Sequence, residues 1–462
     1  MNETLFSIAK SWRETAHCVH STEEIKDWIH ALNSTVAVDI QLTDLEHCTG
    51  WFYDESEGCI RNNSHSFFTI TGFRQTLPNG EVQTQPIIMQ PEIGYLGILC
   101  REFNGVMHFL MQAKTEPGNI NKIQLSPTIQ ATKSNFTQMH GGAKPPYLDF
   151  FLNASSYDIV VDQIQSEQSS RFYKKRNRNI IIRLEEDIEV LPSHRWMTLG
   201  QIKQLMREDN LVNMDTRTVL SCIPFSKMDL SGGELLEIAD YFTDIPLMQS
   251  AMVGSRENVL PGLYRYINNQ KMFYDAKTEL LPLYSLEDWK MKNGEFVCKH
   301  SFPFRIVFCD IEIEGREVRR WAQPLFAANG ISTFGLIMCE EEGMLKFLVR
   351  VKPEVGCFDV LELGPTVQRE ATKASDENDI DRFFMDRLKA GRGVIYDHLL
   401  SEEGGRFYQE QNRNILMRID RTELPPLPDG YFLMDFRLLN ELVQVNNTLN
   451  IQLRNLLSLL EA

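Results

Sequence analysis

The chain has 462 residues, of which 43% are hydrophobic and 24% charged, and its formal net charge is −16 at pH 7. This composition is typical of a soluble globular protein, and the length predicts about two to three domains. The negative charge argues against general nucleic-acid binding, which needs a basic surface, and no apolar stretch approaches the roughly 20 residues that cross a bilayer. We therefore expect no nucleic acid and no membrane as partners.

The N-terminus and the cysteines favour the cytoplasm. Residues 1–6 lack the basic start of a secretory signal. The nine cysteines are scattered without Cys-x-x-Cys spacing, and several lie in apolar runs, so we expect reduced core residues. A cytoplasmic location is the default expectation.

The first half of the chain begins with a predicted helix and continues with short strands. Apolar spacing predicts an amphipathic helix over residues 20–31. Thr198 is placed to cap a second helix that runs to Met206. Between these helices, β-rich runs predict a turn at residues 77–80 and strands over residues 67–73, 95–100, 107–112, 159–161 and 180–182.

The second half repeats this pattern of short strands and helices after a connecting segment. A helical linker is predicted over residues 229–250, followed by a loop over 255–262. Leucine spacing predicts one long helix over residues 442–460. Strands are predicted over residues 304–313, 333–338, 345–351 and 415–419. Each half is therefore predicted to be a mixed sheet with helices packed on it, which is the α+β class.

A polar cassette occurs twice in the chain. Residues 166–179 and 401–414 share Ser-Glu, Arg-Phe-Tyr and Asn-Arg-Asn in the same order. Flanking residues recur as well, with Lys114, Gly118 and Gln130 repeated as Lys352, Gly356 and Gln368. We infer one domain fold used twice, with domains at residues 1–228 and 263–462 joined by a helical linker at 229–262.

The cassette has the chemistry of a diphosphate site. Arginine forks bind phosphate oxygens, and amides and a tyrosine can fix the orientation. Glu167, beside several cations, can stay ionised and accept a proton. The alternatives are a solvated charged face for the cassette and a structural salt bridge for Glu167.

Three further features are candidates for the site. Residues 130–142 combine hydroxyls, amides and a glycine pair, which lets the backbone approach an anion, although an ordinary polar loop is the alternative. Residues 210–217 carry amides, an aspartate and an arginine, which helix capping would also explain. Trp51 and Trp289 precede a strand in each half, where a tryptophan is usually core but can stack on a nucleobase.

Several cofactor motifs are absent from the sequence. There is no Gly-x-Gly-x-x-Gly after a strand, no Walker loop, and no His-Glu-x-x-His or other grouped metal ligands. We therefore expect neither a metal nor another cofactor.

At these residues the sequence resembles the NDP-hexose 2,3-dehydratase family of deoxysugar biosynthesis. The match rests on Gln-Ala-Thr-Lys-Ser-Asn-Phe-Thr at 130–137 with His-Gly-Gly at 140–142, on Gln-Ser-Glu-Gln through Arg-Asn-Arg-Asn at 165–179, on Trp-Met-Thr-Leu-Gly at 196–200, and on Asn-Leu-Val-Asn-Met-Asp-Thr-Arg at 210–217. It spans nearly the whole chain and includes the duplication.

The resemblance implies two tandem Nudix-like domains per subunit, a homodimer, and dTDP-4-keto-6-deoxy-glucose as substrate. It also implies that both halves can bind nucleotide while one performs the chemistry. The product, dTDP-3,4-didehydro-2,6-dideoxy-glucose, would pass to a 3-ketoreductase in antibiotic biosynthesis. The glutamate box that binds metal in Nudix hydrolases is absent from both halves, which agrees with elimination of water.

The chemistry of this elimination suggests roles for particular residues. The 4-keto group acidifies the C3 proton, so a base can remove it while an acid helps the C2 hydroxide to leave and a donor stabilises the enolate. We predict Glu167 or Asp215 as base and Tyr173 or His140 as acid or donor. The predicted substrate-binding residues are Trp51, Lys133, Ser134, Asn135, Phe136, Thr137, Gln138, Arg171, Asn177, Arg178, Asn179, Asn213, Arg217, Trp289, Arg406, Tyr408, Asn412, Arg413 and Asn414.

We expect the first half to perform the chemistry. It keeps residues 134–137, the glycine pair and Asp215, whereas the second half replaces three cationic positions at residues 409–411. The opposite assignment stays open because Glu402 and Glu403 leave a carboxylate pair, with Glu402 as its catalytic group. Two rival functions also stay open: a metal-dependent nucleotide diphosphate hydrolase of the Nudix type, and a noncatalytic nucleotide-sugar binding protein.

Overall fold

The computed structural model describes residues 2–65, 67–136, 144–255, 257–316, 318–373 and 376–461, without the side chains of Ser134 and Asn135. These residues form four β-sheets with helices between and around them. The mixture of largely antiparallel sheets and separate helices is the α+β class that the sequence predicts.

The first half contains twelve strands and six helices among the described residues. The strands are β1 Val38–Thr43, β2 Trp51–Asp54, β3 Cys59–Asn62, β4 Thr69–Thr76, β5 Val82–Met89, β6 Gly94–Phe103, β7 Val106–Thr115, β8 Ile123–Ser126, β9 Ile129–Ala131, β10 Asp158–Ser166, β11 Arg176–Arg183 and β12 His194–Thr198. The helices are α1 Asn2–Ser11, α2 Thr22–Thr35, α3 Lys133–Phe136, α4 Leu148–Leu152, α5 Leu199–Leu205 and α6 Met214–Ser221.

The linker and the second half follow. The connecting helices are α7 Gly232–Ala239, α8 Ile245–Met248, which continues into a π-helical turn over Gln249–Val253, and α9 Leu260–Phe273. The remaining strands are β13 Lys277–Leu281, β14 Trp289–Lys292, β15 Glu295–Cys298, β16 Phe304–Ile313, β17 Arg320–Ala328, β18 Thr333–Glu341, β19 Met344–Pro353, β20 Leu361–Gly364, β21 Val367–Arg369, β22 Val394–Ser401, β23 Phe407–Tyr408, β24 Gln411–Ile419 and β25 Tyr431–Asp435. The last helices are α10 Asp379–Lys389, α11 Phe436–Val443 and α12 Ile451–Ser458.

Two large sheets have the same strand order, one in each half. The first large sheet runs β10-β11-β6-β7-β12, with β9 paired to β6 and β8 to β7. The second large sheet runs β22-β24-β18-β19-β25, with β21 paired to β18 and β20 to β19. In each sheet the second and third strands are parallel. The matching order gives the two halves a common architecture.

The two small sheets exchange strands between the halves. The first small sheet runs β13-β4-β3-β2 with β5 on β4, so it takes β13 from beyond the linker. The second small sheet runs β14-β15-β16-β17-β23 and takes β1 from the first half. Two strands therefore pair across the domain boundaries expected at 228 and 262. These boundaries themselves stay a prediction.

Helices α6 and α12 lie between the large sheets and pack against each other. Each begins at an asparagine cap: the Asn213 side chain accepts from Thr216 N, and the Asn450 side chain accepts from Leu453 N, both at 2.9 Å. Around them the core is continuous between the halves, and the Trp12 indole donates to the Leu460 carbonyl at 2.8 Å. The halves thus share one apolar core.

Most predicted elements are confirmed, including helix α5 with its Thr198 cap, and the nine cysteines are free thiols. The single helix predicted over residues 442–460 is wrong: α11 and α12 are separated by a turn in which Asn447 has a φ of 59° and Asn450 caps the next helix. The predicted loop over 255–262 ends early, since α9 begins at Leu260. Within the described ranges, no helix combines the length and the apolar character needed to cross a membrane.

Candidate active site

A cavity of about 340 Å³ lies between the two halves. The first half contributes residues of β6, β9 and β11 and the start of α6, and the second half contributes residues near β17 and the loop after β22. The ionisable residues that line it are Tyr95, Lys114, Glu116, Glu167, Lys175, Asp215, Arg316, Glu403 and Arg406. Four carboxyl groups and four cations therefore share a small volume.

Each of the four carboxyl groups is placed by the end of a secondary-structure element. Glu116 directly follows β7, and Glu167 directly follows β10. Asp215 is the second residue of α6, and Glu403 follows β22 in the second half. Glu116, Glu167 and Asp215 are buried, whereas Glu403 is partly buried. Carboxylates gathered in this way repel one another, so protonation of some of them is favoured.

Asp215 is the most perturbed of the four. Its side chain is 1% exposed, and neither carboxyl oxygen has a hydrogen-bond partner among the described residues. Burial, followed by the nearby charges of Glu167, Glu403 and Glu116, raises the pKa of Asp215 well above its usual value. The shift favours the protonated form, which could donate a hydrogen bond into the cavity.

Glu167 is held in a fixed orientation. The Asn177 amide donates to its Oε1 at 2.6 Å, and its own backbone N–H donates to the Lys175 carbonyl at 3.0 Å, which closes the loop between β10 and β11. Burial raises the pKa of Glu167, while Lys175, Arg454 and the Asn177 hydrogen bond oppose this shift. A carboxylate with a raised pKa is a stronger base than one in water.

Gln130 bridges two carboxyl groups that come from different halves. Its Nε2 lies 3.3 and 3.5 Å from the two oxygens of Glu116 and 3.4 Å from Oε1 of Glu403. The Asn213 amide donates to Gln130 Oε1 at 3.3 Å, which orients the glutamine with its donor toward the carboxyl groups. Lys114 Nζ lies 3.1 Å from Glu116 Oε1.

The Glu116 and Glu403 carboxyl groups have opposite protonation tendencies. Burial raises the pKa of Glu116, but the charges of Lys114 and Arg316 outweigh it and the net shift is downward. Burial and the charge of Glu116 raise the pKa of Glu403 to about 7. At neutral pH the pair thus holds a carboxylate on Glu116 and a readily exchanged proton on Glu403.

Two cations on the cavity wall are also well defined. Lys175 Nζ donates to the Glu92 carbonyl at 2.5 Å, and burial lowers its pKa to about 8 against the opposing charges of Glu167 and Glu92. The Arg406 guanidinium lies 4.3 Å from the centre of the Phe68 ring, and its Nε donates to Gln90 Oε1 at 3.2 Å. Both cations can therefore attract an anionic ligand.

Aromatic side chains line the same cavity. Tyr95 and Phe172 come from the first half, and Trp321 comes from β17 of the second half. The Trp321 indole donates to Gln323 Oε1 at 2.9 Å, and Gln323 Nε2 donates to the Gly405 carbonyl at 2.7 Å. Flat apolar faces beside cations suit a ligand that carries both a ring and a phosphate.

The residues that correspond to the cavity residues through the duplication form a second group of side chains. We name this group the counterpart cluster. It comprises Gln168, Arg171, Glu354, Gln368, Glu402, Glu410, Asn412 and Gln452. Several contacts are repeated within it. The Asn412 amide donates to Glu402 Oε1 at 2.6 Å, as Asn177 does to Glu167, and Gln368 Nε2 donates to Glu354 as Gln130 does to Glu116.

Three differences separate the counterpart cluster from the cavity. An amide stands at Gln452 in place of Asp215, an amide at Gln168 in place of Glu403, and a carboxyl group at Glu410 in place of Lys175. Arg171, which corresponds to Arg406, has its Nη2 3.9 Å from Glu410 and 3.5 Å from Glu370. The arginine of the counterpart cluster thus lies next to protein carboxyl groups, of which Glu370 is the nearer.

Each cassette is divided between the two groups of side chains. The first supplies Glu167, Lys175 and Asn177 to the cavity but Gln168 and Arg171 to the counterpart cluster. Correspondingly, the second supplies Glu403 and Arg406 to the cavity. The crossing is fixed by backbone bonds between halves, from Gly118 N to the Gly404 carbonyl and from Gly356 N to the Ser169 carbonyl. Each cassette therefore contributes side chains to both groups.

Four residues predicted from the sequence line the cavity, namely Glu167, Asp215, Asn177 and Arg406. Other predicted residues make structural contacts. Arg217 is 2% exposed and donates to the Ser401 carbonyl across the interface at 2.5 Å, and Asn213 caps α6. Trp51 and Trp289 are each 5% exposed in the core between the small sheets, and the Trp51 indole donates to the Ala322 carbonyl.

The remaining predicted residues lie away from the cavity lining. Arg178 pairs with Asp162 and Arg413 with Asp397 through two bonds each at the sheet edge. The Asn179 and Asn414 amides donate to backbone carbonyls two residues earlier. Outside the lining lie also Tyr173, Tyr408, Lys133, Phe136, Glu402, Asn412 and Arg171. Thr137, Gln138 and His140, and the side chains of Ser134 and Asn135, lie outside the described residues.

The sequence analysis assigned no role of their own to Lys114, Glu116, Gln130 and Glu403, although Gln130 begins the candidate stretch 130–142 and Glu403 belongs to the carboxylate pair noted there. A signal was present for the first three, because Lys-x-Glu and the later glutamine recur at 352, 354 and 368. Glu403 is different, since its equivalent in the first cassette is Gln168. Glu403 reaches the cavity only because the second cassette packs against the first half.

Comparison with known proteins agrees with this architecture. A family model for NDP-hexose 2,3-dehydratase matches residues 22–223 and again 261–460. Three relatives bear the name dTDP-4-dehydro-6-deoxy-alpha-D-glucopyranose 2,3-dehydratase. The protein from Saccharopolyspora spinosa is 36% identical over 96% of this chain and 91% of its own length. Those from Streptomyces violaceoruber and Amycolatopsis orientalis are 37% and 32% identical, over 91% and 98% of this chain and 92% and 93% of their own lengths. The chain therefore belongs to the NDP-hexose 2,3-dehydratase family.

Proposed function

We propose that the protein eliminates water from dTDP-4-keto-6-deoxy-glucose, and that the cavity between its halves is the active site. The observation that carries this proposal is the group of four carboxyl groups in the cavity, with both oxygens of Asp215 unbonded to described residues and Glu167 oriented by Asn177. Elimination next to a ketone needs a base, an acid and a donor for the enolate oxygen, and this group can supply all three.

Glu167 is the proposed base that removes the C3 proton. The 4-keto group acidifies this proton, and burial makes Glu167 more basic than a carboxylate in water. The Asn177 hydrogen bond occupies one carboxylate oxygen, Oε1. The other oxygen is then the one that faces the substrate.

Asp215 is the proposed donor to the C4 oxygen. Its raised pKa keeps the carboxyl group protonated, and neither oxygen is engaged by a described residue. A neutral carboxylic acid in a dry site can donate a strong hydrogen bond as negative charge develops on the enolate oxygen. Proton removal from C3 is thereby favoured.

The cations are proposed to bind the diphosphate of the substrate, and the aromatic rings are proposed to stack on its nucleobase or its sugar. Arg406 and Arg316 come from the second half and bring positive charge to the cavity wall. Trp321 and Tyr95 supply flat faces for the nucleobase or the sugar. Substrate binding thus requires both halves.

Further features are proposed from the family resemblance. They are a Nudix-like topology for each half, a homodimer in the cytoplasm, and transfer of the labile diketo product to a 3-ketoreductase of antibiotic deoxysugar biosynthesis.

Mass spectrometry of the nucleotide sugar tests the proposal. The purified protein, incubated with dTDP-4-keto-6-deoxy-glucose in the presence of a chelator and quenched early, should give a product lighter by one water with the diphosphate linkage intact. Release of dTMP would indicate a hydrolase instead. Recovery of the unchanged sugar after hours would indicate a binding protein.

A further inference from the structure

Glu403 is the carboxyl group that the second half brings to the cavity. Its Oε1 accepts from the Gly405 backbone N–H at 2.8 Å and lies 3.4 Å from Gln130 Nε2. The same Gln130 amide contacts both oxygens of Glu116. Glu403 is therefore positioned by its own loop on one side and by a first-half amide on the other.

Glu116 and Glu403 form a pair that shares one negative charge. Two carboxylates close together cannot both ionise easily, and one of them retains a proton. Lys114 stabilises the charge on Glu116 at 3.1 Å. The proton consequently belongs to Glu403, the member of the pair that has no described lysine partner within ion-pair distance.

The counterpart cluster provides an internal comparison. It retains the Gln368 to Glu354 bond and the Asn450 bond to Gln368 Oε1, at 3.0 Å, but has Gln168 where Glu403 would stand. The glutamine and its glutamate partner are thus present in both groups, whereas only the cavity has a carboxyl group at the position of Glu403. A purely architectural role would be served by Gln168 and Glu403 alike.

We propose that Glu403 is the general acid that protonates the departing C2 oxygen, with Gln130 and Glu116 as its positioning residues. This assignment rests on the proposed dehydratase function. Glu167 takes the C3 proton, and the electron pair of the C3–H bond forms a C3–C4 double bond as the C4 oxygen becomes an enolate. The C2–O bond then breaks, the oxygen takes the Glu403 proton and leaves as water, and the enolate collapses to a C2–C3 enol.

The remaining steps close the balance of atoms. The enol carries its hydroxyl at C3 and becomes the 3-ketone by gaining a proton at C2 and losing the hydroxyl proton. Glu403 regains a proton from solvent, and Glu167 returns its proton to solvent. The net change is loss of one water.

A substrate with a better leaving group tests this role directly. In the analogue with fluorine in place of the C2 hydroxyl, fluoride departs without needing a proton, so an acid is dispensable. Glu403→Gln, which places the counterpart amide at this position, should slow water loss by about 100-fold or more yet release fluoride within about threefold of the unaltered rate. Glu167→Gln should lose both reactions because the base is needed in each.

Several outcomes would overturn the proposal. Equal losses of water and fluoride elimination in Glu403→Gln would show that the residue does not act on the leaving group, and so would undiminished water loss. Failure of the unaltered protein to eliminate water would instead reject the proposed function itself.

A second measurement needs no variant. The ratio of water loss to fluoride release by the unaltered protein should fall at alkaline pH as Glu403 loses its proton, because titration of Lys175 and Asp215 affects both reactions alike. The same alkaline decline for both substrates would contradict the assignment.

Discussion

Asp215 shows how a single side chain separates the cavity from the counterpart cluster. Burial and three neighbouring carboxyl groups raise its pKa well above the usual value and so favour its protonated form. The equivalent residue on α12 is Gln452, which is 3% exposed and cannot exchange a proton. The same helix position therefore carries an ionisable group in one half and an amide in the other.

Asp215→Asn should keep the fold and lose activity. An amide at this position is compatible with the architecture, as Gln452 indicates, but it is a weaker donor to an enolate oxygen. We expect kcat to fall by about 100- to 1,000-fold with an unchanged unfolding midpoint, from the size of such donor effects. Steady-state kinetics and thermal unfolding measure the two quantities, and a variant with normal kcat would contradict the role.

Arg406 and Arg171 form a matched pair for a test of binding against stability. Arg406 lines the cavity, so Arg406→Gln should raise KM for the nucleotide sugar by about 10- to 100-fold, the value of a charge-assisted hydrogen bond. Arg171 is 2% exposed and its Nη2 lies 3.5 Å from Glu370, so Arg171→Gln should instead reduce the free energy of unfolding by about 3 kcal/mol. Equal KM effects in the two variants would contradict this division.

At the scale of elements, the tight turns after β7 and β19 join the halves. A Cβ on Gly118 would lie 1.6 Å from the Phe407 carbonyl oxygen, and one on Gly356 would lie 1.9 Å from the Phe172 carbonyl oxygen. Both obstacles are backbone atoms of the cassette from the other half, so they cannot move aside as a flexible side chain could. These glycines permit the crossing that places Glu403 in the cavity.

Gly118→Ala and Gly356→Ala should each lower the free energy of unfolding by about 3 kcal/mol, the upper range for overpacking. Gly262→Ala is the control, because it lies in α9 with no atom within 4 Å of the added Cβ. It should stabilise the protein by up to about 1 kcal/mol through helix propensity. Urea denaturation compares the three variants, and similar values for all of them would reject the packing argument.

The sequence predicts helices and strands better than it predicts which strands pair with one another. Apolar runs identify β6 and β7, and the Thr198 cap identifies α5, because these signals are local. The single helix expected over 442–460 is wrong because a leucine pattern continued through Asn447 and Asn450, whose backbone and capping roles end one helix and begin the next. Strand exchange by β1 and β13 was not predictable, since pairing depends on contacts distant in sequence.

The same distinction applies to the site. Glu167 and Asn177 were recognised because both belong to one repeated motif, and Asp215 because it belongs to a second. Glu116 and Glu403 are 287 positions apart and meet through Gln130, which no sequence spacing expresses. Each cassette contributes to both groups of side chains only because it crosses to the other half in the folded protein, and the sequence does not show this crossing.

At the scale of the whole molecule, the counterpart cluster makes stability depend on pH. Burial raises the pKa of Glu410 to about 8 from an ordinary value of 4.5, with Arg171 opposing and Glu402 reinforcing the shift. The folded state thus keeps a proton that the unfolded state has lost between these values. Stability should therefore decrease as pH rises through this window.

Glu410→Gln should flatten this dependence. The variant cannot ionise, so its free energy of unfolding should decrease less between pH 5 and pH 8 than that of the unaltered protein. Urea denaturation at several pH values gives both slopes. A slope in the variant equal to that of the unaltered protein would show that Glu410 does not titrate in this range.

The shared core, the exchanged strands and the divided cassettes together form the cavity, which both halves line and which is the proposed active site. In this account Glu167 acts on the substrate, whereas its equivalent Glu402 is a buried residue held by Asn412 outside the cavity lining. The duplication thus supplies a binding architecture twice and the catalytic groups once.

The most direct test is turnover of dTDP-4-keto-6-deoxy-glucose by Glu167→Gln and Glu402→Gln, followed as loss of one water by mass spectrometry. Glu167→Gln should lose at least about 100-fold in kcat, the contribution of a general base, while Glu402→Gln keeps a rate within about threefold of the unaltered protein. Full activity in Glu167→Gln with none in Glu402→Gln would place the chemistry in the counterpart cluster and contradict the account.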